Sequence, residues 1–212
     1  MNLTKLKEAE ERFFIEYPGG FSNPSMLEIA KKHKVDKMNK LTQESFAIEQ
    51  FANPREIAES MVKIVSRSSL ISLFEKPKFR DLVSSLTDYE KERLSDGLKE
   101  FLYGNQEMGF KLMADLLTEY KLAKWSLMTV CPVYFRPRVE VFVKPTTAKN
   151  VIEYFELEGL QYSPKPTYEF YKEFREQINQ MKKEVDSSLQ FDNAAFTGFL
   201  MMTIPSSSNG KK

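Results

Sequence analysis

The sequence predicts a mainly α protein, a multi-helical single domain over residues 1–204 with at most a short β-strand or extended segment near 133–144. Three observations point there. Apolar side chains recur every three or four residues in one segment after another. Helix-start signatures, an Asn or Thr ahead of a Pro or three residues ahead of a Glu, punctuate the chain. Alternation of period two occurs in one stretch, Val139-Glu140-Val141-Phe142-Val143.

The first helix is expected over residues 3–17, with Leu6, Phe13 and Phe14 near one face. Pro18-Gly19-Gly20 stops it, since Pro removes a donor and Gly accepts positive φ. Asn23-Pro24 then places a cap and a first-turn proline ahead of Met26, Leu27, Ile29 and Ala30. That helix fades in Lys31-Lys32-His33-Lys34. A third, capped by Asp36, is expected to reach Phe51 through Met38, Leu41, Phe46 and Ile48. Asn53-Pro54 repeats the cap-then-Pro signal ahead of Ile57, Met61 and Ile64.

Pro77 opens a piece carrying Phe79, Leu82 and Val83. Thr87-Asp88-Tyr89-Glu90 reads as a capping box, followed by Leu94, Leu98, Phe101 and Leu102. Residues 106 to about 130 read as one helix ended by Pro132. Thr146 opens another through Leu157, closed by Gly159. Thr167 caps the clearest helix of the chain, where Tyr168, Tyr171, Phe174, Ile178, Met181 and Val185 share a face. A last apolar piece, residues 194–204, carries Phe196, Phe199, Leu200, Met201 and Met202 and is expected to be buried. Residues 205–212 contain nothing apolar to anchor them and are expected to be a disordered tail.

Composition narrows the chemistry. Lys plus Arg number 31 and Asp plus Glu 30, so no global field draws the chain to nucleic acid or anionic lipid. One cysteine, Cys131, excludes an internal disulfide and a multi-cysteine zinc site; one histidine, His33, excludes metal sites needing two histidines from one chain. No apolar run approaches a signal-peptide core or the roughly 20 residues that span a bilayer, which fits a cytoplasmic protein with no membrane partner. No phosphate-cradling loop follows a strand, and no cofactor is expected. Cys131, between Val130 and Pro132, reads as a buried and inert thiol.

Two groups of residues invite a functional reading. Tyr134, Arg136, Arg138, Phe142 and Lys144 mix aromatic and basic side chains, the mixture that contacts nucleic acid or phosphate through stacking and charge. A strand with a buried Val face and a charged rim would look the same. Tyr168, Tyr171 and Phe174 form an aromatic stripe that is either core or a partner interface. The leading expectation is a non-catalytic protein-interaction module whose partner is a protein, including this chain itself. The alternatives are a nucleic-acid-associated protein using Arg136, Arg138, Lys144 and the basic corner Lys31 to Lys40, and a carboxylate-dependent hydrolase or nuclease.

Overall fold

In a computed structural model the described residues, 1–205, form eleven α-helices joined by turns and three short 3-10 segments, with no strand among them. The helices are α1 Leu3–Glu16, α2 Pro24–His33, α3 Val35–Ser45, α4 Pro54–Arg67, α5 Glu75–Ser85, α6 Asp88–Tyr103, α7 Gln106–Glu119, α8 Trp125–Phe135, α9 Pro145–Tyr154, α10 Tyr168–Lys183 and α11 Asn193–Thr203. The expected tail falls, from residue 206 onward, outside the described residues.

Local chemistry sets most starts. Asn23 and Asn53 accept from backbone N–H groups of α2 and α4, with Pro24 and Pro54 in the first turn. Thr87 and Glu90 form the reciprocal capping box of α6, and Thr167 caps α10. The α6–α7 pair is the tightest contact of the fold. A Cβ on Gly109 would lie 2.2 Å from the Phe101 nitrogen, so only glycine lets these backbones approach.

Helix α8 is the hub. All its residues from Trp125 to Tyr134 are buried, and it touches α3, α4, α6 and α7. A helix apolar on every side belongs inside a core. This explains the first correction. Pro132 does not end a helix begun at residue 106; it sits inside α8, and Arg136 N–H still reaches the Pro132 carbonyl at 2.9 Å. An interior proline costs about 3 kcal/mol. Burial of ten consecutive residues offsets it.

The expected 106–130 helix is broken earlier, at Lys121. This residue adopts left-handed φ of 57°, and Leu122 N–H returns to the Leu117 carbonyl at 2.8 Å, a Schellman ending without glycine. Glu156, at φ 53°, ends α9 in the same way ahead of the expected Leu157. The third helix stops at Ser45 and its cap position is Lys34, also left-handed, in place of Asp36; Ile48–Ala52 is a separate 3-10 segment.

The segment near 133–144 takes the extended alternative and not the strand, and it is shorter than expected. Residues 133–135 complete α8, and the extended run that follows pairs with no other strand. The alternating pattern fails too: Val139 is exposed, whereas Glu140, Val141, Phe142 and Val143 are all buried. The backbone is satisfied by side chains instead of a ladder. Val141 N–H reaches the Tyr171 hydroxyl at 3.4 Å and Val143 N–H the Thr129 Oγ1 at 3.0 Å. The carbonyl of Arg138 accepts from Lys182 Nζ at 2.7 Å, that of Val139 from Asn179 Nδ2 at 2.8 Å, and that of Glu140 from Asn193 Nδ2 at 3.0 Å. Buried backbone groups must find partners, and α8, α10 and α11 supply them here.

The aromatic stripe on α10 is core. Tyr171 and Phe174 are fully buried, Tyr171 against Phe101 and Phe110, and Tyr168 is half-buried beside Phe110. The interface expectation for these residues is therefore corrected. α11 is buried as expected, through Phe196, Phe199 and Leu200, and packs on α1, α9 and α10.

Candidate binding cleft

The stitched extended run delivers Phe142 and Lys144 to one wall of a cleft of about 420 Å³. The other walls are the loop from Ser69 to Glu75, the start of α8 with Lys124, Trp125 and Ser126, the start of α9 with Pro145 and Thr146, and the connector carrying Tyr162 and Pro164. The connector and the loop are held by specific bonds. Trp125 Nε1 donates to the Ser163 carbonyl at 2.7 Å and pins the connector. Ser68 Oγ and the Tyr134 hydroxyl lie 2.9 Å apart, and Leu70 N–H reaches Ser68 Oγ at 3.0 Å, which fixes the loop to α8. His33 Nδ1 meets Ser69 Oγ at 2.8 Å from the end of α2.

The cleft is mixed in character. Its apolar parts are Ile71, Phe142, Trp125 and Tyr162. Its cations are Lys124 and Lys144, both exposed, and neither ion-pairs with a carboxylate among the described residues. These two lysines are the cap residues of α8 and α9, where no side chain caps the first N–H groups. A helix start carries a partial positive charge, so both ends add to the lysines. The one acid in the lining, Glu75, is held within the protein. Ser126 Oγ donates to it at 2.6 Å and Ser72 Oγ at 2.8 Å.

Between Ser72 and Glu75, both of which line the cleft, the chain turns Leu73 and Phe74 outward. They are 80% and 82% exposed, the two most exposed large apolar side chains among the described residues. They form an apolar lip. The sequence contained no periodic signal for them, because the loop has neither helical nor strand spacing.

The candidate nucleic-acid contacts do not come together. Tyr134 is buried and its hydroxyl is engaged by Ser68, so its ring has no face to offer a base; that expectation is corrected. Arg136 lies 3.9 Å from the buried Glu140 carboxylate, and Arg138 stands over the Phe191 ring. Of that aromatic and basic mixture, only Phe142 and Lys144 line the cleft. None of the Lys31 to Lys40 corner lines the cleft, although His33 touches its Ser69; Lys31, Lys32, His33, Lys34, Lys37 and Lys40 are all exposed.

Beneath the extended run lies a buried polar cluster. Glu140 is fully buried and accepts from the Tyr171 hydroxyl at 2.8 Å, Arg175 Nη1 at 2.9 Å and Gln106 Nε2 at 2.9 Å. Burial and the Glu140 charge push the Tyr171 hydroxyl well above its ordinary pKa, so it stays a donor. Its bonds tie the extended run to α7 and α10 and support the fold. Cys131 is buried, and burial pushes its thiol up to about 12, which keeps it protonated and unreactive at neutral pH. Among the described residues no three His, Cys, Asp or Glu side chains are grouped to hold a metal ion, and no helix is long and apolar enough to cross a membrane.

Comparison with protein-family models, with curated proteins and with solved structures finds no match for this chain.

Proposed function

We propose that this chain acts as a non-catalytic protein-interaction module, with the cleft and its Leu73–Phe74 lip as the contact surface. The carrying observation is the exposure of two adjacent large apolar side chains beside a recess with apolar walls. Exposed Leu or Phe singly needs no explanation, but such a pair at the rim of a cleft is what a partner surface covers. The recess supplies somewhere for a partner side chain to go, and buried aromatic anchors dominate protein–protein contacts. A photo-crosslinking amino acid in place of Phe74 tests this in cells. The expected result is one discrete cross-linked protein at position 74 and none at Lys111, an exposed control on α7. Equal labelling at both positions would end the reading.

A second reading rests on the exposed lysines of α2 and α3, which could contact a polyanion. Glu28 and Glu44 lie only 3.9 and 3.8 Å from Lys31 and Lys40, so the corner is partly neutralised. An oligonucleotide mobility shift at low salt, lost in Lys34→Glu/Lys37→Glu, would support it; no shift of the wild type would dismiss it.

A further inference from the structure

We propose that the cleft takes a short acidic peptide segment of a partner protein, with an Asp or Glu side chain between Lys124 and Lys144 and a neighbouring aromatic or aliphatic side chain against Phe142 and the Leu73–Phe74 lip. The inference rests on the protein-binding reading above and narrows the partner's chemistry.

Charge complementarity carries it. Two exposed ammonium groups border the cleft without a carboxylate partner among the described residues. Lys149, outside the lining, lies 5.0 Å from the centre of the ring of Tyr162, a lining residue. Against them stands one carboxylate, Glu75, whose oxygens already accept from Ser72 and Ser126. A partner bringing one or two carboxylates would balance the cleft, whereas a basic or neutral segment would leave the lysines facing it unpaired. Like-charge contacts of that kind exclude wrong partners.

The apolar half of the site sets the second requirement. Phe142 is nearly covered and Trp125 is buried, so neither offers an open ring face. The Tyr162 ring carries Lys149 on its face and meets Phe170 edge-on at 5.9 Å. Base stacking needs an open aromatic face. A peptide side chain packs against the Leu73 aliphatic surface with no such need, and the volume of about 420 Å³ suits a few side chains.

The test is selection of a phage-displayed random dodecapeptide library on the full chain. The enriched peptides are then titrated as fluorescein conjugates by fluorescence polarisation. Enrichment of peptides pairing Asp or Glu with an aromatic or aliphatic residue is expected. Their affinity should fall by about tenfold or more in Lys124→Glu/Lys144→Glu and in Leu73→Ser/Phe74→Ser, and should weaken as salt rises. All four positions are exposed, and circular dichroism checks that the variants stay folded.

Enriched peptides without acidic residues, or acidic ones indifferent to the lysine pair, overturn the acidic assignment and leave the interaction module standing. No enrichment at all, with sedimentation showing a dimer dissolved by Leu73→Ser/Phe74→Ser, assigns the surface to a second copy and overturns the peptide assignment. No enrichment and a monomer overturn both. Oligonucleotide binding abolished by the lysine reversals, without peptide enrichment, moves the site to nucleic acid.

Discussion

The Tyr171 hydroxyl serves two neighbours on one stretch of chain, donating to the Glu140 carboxylate at 2.8 Å and receiving the Val141 N–H at 3.4 Å. A single oxygen on α10 therefore fixes both the side chain and the backbone of the extended run. Tyr171→Phe keeps the ring in its pocket against Phe101 and Phe110 and deletes only that oxygen. The variant leaves a buried N–H without a partner, a loss of about 1–3 kcal/mol. Urea unfolding of wild type and variant measures it; an unchanged midpoint would show that the run is held without Tyr171.

Gly109→Ala weighs two opposing effects. Alanine favours a helix over glycine by about 1 kcal/mol. Its Cβ would meet backbone of α6 on several sides, 2.6 Å from the Gly97 carbonyl oxygen among them. Overpacking costs about 1–3 kcal/mol and reaches the top of that range where backbone, not a flexible side chain, must move. Net destabilisation is expected, read as a lower thermal midpoint by calorimetry.

Glu90 gives the chain an acid-sensitive bond. It accepts from the Tyr120 hydroxyl, from Thr87 Oγ1 at 2.7 Å and from Thr87 N–H at 2.8 Å, and these bonds lower its carboxyl from 4.5 to about 2. A carboxyl lowered in the folded state stabilises above its unfolded pKa and loses that contribution as pH falls through the folded one. Glu90→Gln should lower the urea midpoint at pH 7, and the difference from wild type should close between pH 4.5 and about 2. A difference that stays constant down to pH 2 would mean the bonds do not favour the ionised form.

Truncation tests α11. Ending the chain after Asp186 removes the buried Phe196, Phe199 and Leu200. Each such side chain contributes about 1.5–3 kcal/mol against a net stability of roughly 5–15. Insoluble or molten protein is expected, whereas ending after Ile204 keeps every buried residue described here. A folded, heat-stable product of the shorter truncation would show that α11 is dispensable.

What the sequence made legible is what is local. The caps at Asn23, Asn53, Thr87 and Thr167 each pair a side chain with a backbone group two or three residues away, and all four are found where expected. The left-handed endings at Lys121 and Glu156 carry no such mark, because glycine, the usual sign, is missing. Pro132 misled because its cost is local and the burial that overrides it is not. In the cleft, Phe142 and Lys144 stood out as part of an aromatic and basic mixture. Trp125, Glu75 and the Leu73–Phe74 lip did not, since they meet that wall only when segments up to about 70 residues apart fold together.

The stitched run from Arg138 to Val143 is held mainly by residues far from it in sequence. Its partners reside at residues 129, 171, 179, 182 and 193, so most of its bonds close loops of roughly 30 to 50 residues. Long-range closures of this kind slow folding compared with helix hairpins such as α6–α7. The bonds that hold the run leading to Phe142 and Lys144 are therefore complete only with α10 and α11 docked against it.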